Sequence, residues 1–142
     1  MLTLFVIMVG CQTNNNPKEE TDSELMNLSA SAPINQDPSK QVEKKLQKKN
    51  HLKDVKAVND DQKLLVAVQV PHNDRFQLKK IEKKLTKKAE KEFPDYEVTL
   101  SLDKKIHLEV IELKQQFMQG KLDKKKLSKE IDQTIKLSKE KT

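Results

Sequence analysis

Two kinds of hydrophobic spacing divide most of the chain into helices and strands. A four-residue step from Val42 to Leu46 predicts a helix in QVEKKLQKKN, with Ser39 as its N-cap. Apolar residues at every second position in HLKDVKAVNDDQKLLVAVQV predict two strands. The polar residues Asn59–Asp61 provide the turn of a β-hairpin, because Asx side chains bond their own backbone. Pro71 ends the second strand, since it has no N–H to donate.

The next segment predicts a second helix and a third strand. Residues 74–92 have a helical pattern, capped by Asn73 or Asp74. Its apolar stripe consists of Leu78, Ile81, Leu85 and Ala89. Pro94 ends the helix, and Phe93 is expected to lie under its last turn. The alternating segment YEVTLSL then predicts a strand with one buried side.

Two further helices complete the pattern. Asp103 is the expected N-cap of the first, and Gly120 ends it, because glycine adopts the left-handed conformation without penalty. The apolar face of this helix consists of Ile106, Val110, Leu113 and Phe117. The last helix starts after Asp123, with Leu122 and Leu127 spaced for a hydrophobic staple. The short turn GKLD predicts that the two helices form an antiparallel hairpin.

The predicted fold class is therefore α+β. The order α-β-β-α-β over residues 41–102 predicts a small three-stranded sheet with both early helices on one face. Residues 103–142 add a C-terminal helical hairpin. The α-β-β-α-β order is similar to that of the ring-building modules of secretion and sporulation machines. That likeness concerns the fold alone and carries no function by itself.

The chain begins with a different pattern, MLTLFVIMVGCQTNNN. Residues 2–10 are too short for a spanning helix, which needs about 20 apolar residues, and fit the core of a secretory signal. Met8-Val9-Gly10-Cys11 resembles the bacterial lipobox, in which the cysteine thiol receives a diacylglycerol and cleavage occurs just before it. Residues 1–10 are therefore predicted to be a lipoprotein signal peptide, and Cys11 is the predicted lipidation site. Residues 11–40 are predicted to be the lipidated cysteine and a disordered tether, because their composition cannot offset the entropy of folding.

An alternative for this segment is a short apolar N-terminus packed on the domain, with Cys11 buried. Met8 stands where a lipobox usually has Leu, and no lysine or arginine precedes the apolar run. Either the natural start lies upstream of Met1, or the Met1 amine supplies the positive charge. The abrupt change to QTNNNPKEETDSE favours the signal peptide, since a core element would not lead into such a sequence.

Charge is distributed unevenly along the chain. Residues 12–39 carry one lysine and five acidic residues, whereas residues 40–142 carry 27 basic and 17 acidic residues. Seven lysines cover the side of the 74–92 helix opposite its apolar stripe: Lys79, Lys80, Lys83, Lys84, Lys87, Lys88 and Lys91. Such a run is either a solvated surface or a contact for an anionic bilayer or wall polymer. With one arginine, Arg75, and no aromatic stacking platform, nucleic acid is the weaker partner.

No pattern in the sequence indicates catalysis, a metal or a cofactor. The three histidines are His51, His72 and His107. They lie in different segments without metal-ligand spacing, and His107 is expected to be a partly buried packing residue. The acidic neighbours Asp60 and Asp61 are interpreted as solvated surface without a shifted pKa. We therefore expect a protein that is not an enzyme and that has no metal or cofactor.

The lipobox, the polar linker and the segment VEKKLQKKNHLKDVKAVNDDQKLLVAVQV together resemble the sporulation lipoprotein family YhcN/YlaJ. The basic helix and YEVTLSLDKKIH are also similar, so the resemblance covers roughly residues 41–110. It implies a membrane lipoprotein of endospore-forming bacteria that is connected with germination or outgrowth. The implied location is the outer face of the cytoplasmic membrane of the forespore or spore.

Three functional hypotheses follow. The first is a non-enzymatic, lipid-anchored module that binds a membrane surface or an unidentified protein partner in sporulating cells. The second is a self-assembling structural protein of a spore envelope complex. The third is a binder of polyanions or nucleic acid.

Overall fold

The structure is a computed structural model and describes residues 34–140. Its helices are α1 (Asp37–Lys49), a 3-10 helix (His72–Gln77), α2 (Leu78–Glu92), α3 (Lys104–Met118) and α4 (Lys124–Glu140). Its strands are β1 (Asp54–Asn59), β2 (Lys63–Gln69) and β3 (Glu97–Ser101). The α+β class and the predicted order of elements are confirmed.

The three strands form one mixed sheet with β2 in the middle. β1 pairs antiparallel with β2, which places Val55 opposite Val68 and confirms the predicted hairpin. β3 pairs parallel with β2, with Leu65 opposite Thr99. A parallel pair needs a crossover from one end of the sheet to the other, and α2 provides it.

The central strand β2 is buried on both faces. Its five consecutive residues from Leu64 to Val68 are fully buried. Leu64, Val66 and Val68 pack with the apolar residues of α1 and α2, so both early helices cover one face, as predicted. Leu65 and Ala67 pack with those of α3 and α4 on the other face. The sheet is therefore enclosed between two helical layers.

The helix ends that depend on neighbouring residues lie where the sequence predicts them. The Asp103 carboxylate caps α3 by accepting the N–H groups of Lys105 at 2.7 Å and Ile106 at 3.2 Å. Asp123 caps α4 in the same way, through the N–H of Lys126 at 2.8 Å. Gly120 has φ +71°, and its N–H donates to a carbonyl in the last turn of α3, which completes a glycine C-cap.

The starts of α1 and α2 differ from the prediction. Ser39 is not an N-cap, because α1 begins at Asp37, after Gln36. Pro38 fits this first turn, where its missing N–H leaves no helical bond unmade. The predicted 74–92 helix opens instead with the 3-10 turn, which contains both proposed caps, and no side-chain hydrogen bond caps α2. A 3-10 turn of this kind is common at helix N-termini.

A buried polar corner joins the end of β1 to the residues that precede α1. Asn59 is fully buried, and its Oδ1 accepts the Ser39 hydroxyl at 2.6 Å, while its Nδ2 donates to the carbonyl of Asn35 at 3.0 Å. The carbonyl of Asn59 accepts Gln36 Nε2 at 2.6 Å. Ile34 packs with the α3 and α4 layer, whereas α1 packs on the opposite face. The chain therefore passes round the β1 edge here, and Asn59 fixes the passage.

The hairpin turn is held by Asp60, which is 5% exposed. Its Oδ1 accepts the N–H groups of Gln62 at 2.8 Å and Lys63 at 2.6 Å, and its Oδ2 accepts the Ser128 hydroxyl at 2.6 Å. Burial acts to raise the pKa of Asp60, but these hydrogen bonds and the Lys63 charge together hold it below its ordinary value. The interpretation of Asp60 as solvated surface is therefore wrong, whereas Asp61 is exposed and pairs with Lys124.

Replacing Asn59 should weaken the whole domain. The substitution Asn59→Ala removes the buried hydrogen bonds of this side chain with the Ser39 hydroxyl and the Asn35 carbonyl, which should lower the free energy of unfolding by about 2–3 kcal/mol. Urea denaturation followed by circular dichroism measures it. The control Asn73→Ala, at an exposed position, should change the free energy by less than about 0.5 kcal/mol. Equal midpoints for the two variants would contradict this role.

Stability should depend on the ionisation of Asp60. Because its pKa is lower in the folded than in the unfolded chain, Asp60 stabilises the fold above about pH 4, and this contribution is lost as the pH falls further. The difference in unfolding free energy between wild type and Asp60→Asn should therefore be largest near neutral pH and shrink in acid. Ser128→Ala, which removes one of the stabilising hydrogen bonds, should reduce the pH dependence in part. A difference that stays constant down to pH 3 would contradict the assignment.

Candidate functional site

The lysines predicted to form one surface do lie together on α2. Leu85 and Ala89 form its buried side. Six lysines on the other side are exposed: Lys79, Lys80, Lys83, Lys84, Lys87 and Lys91. We call these six the lysine face. The seventh, Lys88, is partly buried, and its ammonium lies 3.5 Å from Asn50 Oδ1.

In the part of the chain that the structure describes, acidic side chains do not pair with the lysine face. Within residues 34–140, none of its six ammonium groups forms an ion pair with a carboxylate. Of the acidic residues of α2, Glu92 pairs with Lys45 of α1 instead. Glu82 is partly buried beside the face, and burial raises the pKa of its carboxyl. The face therefore presents a strong positive field to solvent.

An exposed aromatic side chain lies beside the start of this face. Phe76 belongs to the 3-10 turn that precedes α2 and is 96% exposed. It lines a shallow depression together with Arg75, Lys79 and Lys80. The sequence alone did not single out Phe76. Helical spacing shows which residues can share a face, but it does not show whether another element of the fold covers them.

A second feature that the sequence did not reveal is a cleft of about 680 Å³ at the carboxyl ends of β2 and β3. Its cations are Lys53, Arg75, Lys79, Lys104 and Lys139. Glu82 and Asp103 also line it, and the Asp103 carboxylate caps α3. Since the cations exceed the acids, the cleft attracts anions. Its lining comes from several separate segments, so no local motif could predict it.

His107 is buried in a hydrogen-bonded group rather than in an apolar site. It is 3% exposed, its Nε2 lies 2.9 Å from Asp54 Oδ2, and its Nδ1 lies 3.2 Å from Gln69 Nε2. Both ring nitrogens of His107 therefore lie within hydrogen-bonding distance of a polar side chain. The group joins α3 to the start of β1 and the end of β2. The other two histidines are exposed.

Several predicted features involve residues that the structure does not describe. Cys11, the predicted signal peptide and the predicted tether as far as Pro33 lie outside residues 34–140. In the described part, no three His, Cys, Asp or Glu side chains are grouped to hold a metal ion. None of the helices described is long and apolar enough to cross a bilayer.

The comparison with known families extends the resemblance beyond residues 41–110. The pattern of the family described as Sporulation lipoprotein YhcN/YlaJ matches residues 9–137. No curated protein and no solved structure matches the chain. The matched residues include Cys11 and cover the described fold from α1 through most of α4. The chain therefore belongs to the sporulation lipoprotein family YhcN/YlaJ.

Proposed function

We propose that this protein is a non-enzymatic lipoprotein, anchored through Cys11 to the outer face of the cytoplasmic membrane of the forespore or spore. Its folded domain is an interaction module whose lysine face contacts the anionic membrane surface, and it acts in germination or outgrowth. The observation that carries the proposal is a face of six exposed, unneutralised lysines in a member of a lipoprotein family. The family supports a role in sporulation and association with the membrane.

The dimensions of the lysine face suit a flat anionic surface. From Lys79 to Lys91 the helix rises about 18 Å, which is enough to contact several lipid headgroups. Each lysine near an anionic bilayer contributes about 1 kcal/mol. Lysine is also the appropriate residue for this contact, because its solvated point charge needs no fixed geometry, unlike arginine at a bidentate site.

The anchor and the lysine face would strengthen each other. Two acyl chains on Cys11 give stable attachment, whereas one chain would be marginal. Attachment holds the domain at high effective concentration near the bilayer, so that even weak ionic contacts are occupied. A random coil of the 22 residues between Cys11 and Ile34 would span about 25 Å, which lets the domain turn its lysine face towards the membrane.

Removing the thiol should abolish lipidation. In a spore-forming host fed radiolabelled palmitate, the wild-type protein should carry label and stay in the membrane fraction at high salt. Cys11→Ser should carry no label and should be released by high salt, since only screened ionic contacts remain. The control Thr13→Ala should behave as wild type. Equal labelling of the two chains, or equal resistance to salt, would rule out the anchor.

Neutralising part of the lysine face should weaken vesicle binding more than the same charge change elsewhere. The triple substitution Lys80→Gln, Lys84→Gln and Lys87→Gln keeps helix propensity and removes three contacts. In residues 11–142 carrying Cys11→Ser, co-sedimentation with phosphatidylglycerol vesicles should weaken on the order of 100-fold.

The matched control changes three exposed lysines of α4, Lys125, Lys126 and Lys129, to glutamine. Net charge then falls equally in both triple variants, so that only position differs. The affinity of the control variant for the vesicles should fall by less than about 10-fold, because only the long-range electrostatic attraction is reduced. Equal losses would show that net charge, and not the lysine face, governs binding.

A further inference from the structure

The side chain of Phe76 is exposed to solvent beside several cationic residues. It is 96% exposed, and no residue of its 3-10 turn is buried. Phenylalanine gains a large amount of free energy on leaving water, so a fully exposed one contributes nothing to folding by burial. Its exposure leaves the ring available to a surface outside the folded domain.

The immediate neighbours of Phe76 indicate what that surface is. Arg75 precedes it, and Lys79 and Lys80 line the same depression. Leu78, itself 37% exposed, adds a second apolar group beside Phe76. Apolar side chains rimmed by cations are the pattern of an interfacial membrane contact, in which the ring enters the headgroup region while the cations remain at the phosphates.

We infer that Phe76 inserts into the interface of an anionic bilayer when the lysine face rests on it. The turn and the face are continuous, since Lys79 and Lys80 belong to both the depression and the lysine face. Insertion rests on the proposed function and adds an apolar contact to the ionic ones. Insertion also fixes the orientation of the domain on the bilayer, because it places the start of α2 deeper in the headgroup region than the rest of the domain.

The chain offers a matched control for this insertion. Met118 at the end of α3 is also apolar and 75% exposed. α3 starts beside the cleft at Lys104 and runs away from it, so Met118 lies at the other end of the sheet, on the face opposite to α2. A bilayer that contacts the lysine face therefore should not contact Met118.

The test uses the absence of tryptophan from the chain. Phe76→Trp and Met118→Trp each introduce a single fluorophore into residues 11–142 carrying Cys11→Ser. With vesicles of equal parts phosphatidylglycerol and phosphatidylcholine, the emission of Phe76→Trp should move to shorter wavelength. Lipids brominated on their acyl chains should quench it. The emission of Met118→Trp should not change, and vesicles of phosphatidylcholine alone should shift neither variant.

Co-sedimentation of the same samples separates the possible failures. Phe76→Ala should bind the mixed vesicles on the order of 10-fold more weakly than the parent chain, whereas Met118→Ala should bind equally. If the Phe76→Trp chain sediments with vesicles and its emission stays unchanged, insertion is wrong while the lysine contact stands. If the emission of Met118→Trp moves to shorter wavelength instead, the domain binds the bilayer by its other end and the inference is overturned. If no variant sediments with anionic vesicles, the proposed contact and the insertion both fail.

Discussion

The burial of β2 on both faces is the constraint on which the rest of the structure depends. A central strand with no solvent-facing side needs a helical layer above and below it. The two layers are α1 with α2 and α3 with α4, and each contributes its own apolar cluster. The parallel pairing of β3 then requires a crossover along one face of the sheet. α2 makes that crossover and is thereby held with one side on the sheet and the other side in solvent.

The position of the lysine face follows from this arrangement. Only Leu85 and Ala89 of α2 are fully buried, and Ile81 is partly buried. Because the contact between α2 and the sheet is narrow, most of the surface of α2 is left in solvent, where charged side chains can lie. The cleft at the carboxyl ends of β2 and β3 and the exposed turn with Phe76 lie where the crossover begins. The topology of the sheet therefore brings the cleft, Phe76 and the first lysines of the face together at the start of α2.

The sequence predicted the features whose causes are local. The cap at Asp103, the start of the last helix after Asp123 and the glycine stop depend on residues a few positions apart, and they were predicted correctly. The hydrogen bonds of Ser39 with Asn59 and of Asp60 with Ser128 were not predicted, because these partners lie 20 and 68 residues away. The second helical layer did leave a signal in the continuous apolar run Leu64–Val68. Because the run was interpreted as alternating buried and exposed positions, only one face of β2 was expected to be buried.

The lysine face was predicted from helical spacing, but its meaning depends on a balance of energies. Lys79, Lys83, Lys87 and Lys91 follow one another at four-residue steps, as do Lys80, Lys84 and Lys88. These steps make five like-charge pairs, each of which destabilises a helix by about 0.2–0.5 kcal/mol. A face kept only for solubility would avoid this cost by alternating glutamate with lysine, as i,i+4 pairs of opposite charge stabilise a helix. In the proposed contact, an anionic bilayer would relieve the repulsion, and the same charges would contribute to binding. The like-charge repulsion along α2 therefore supports the proposed contact between the lysine face and an anionic surface.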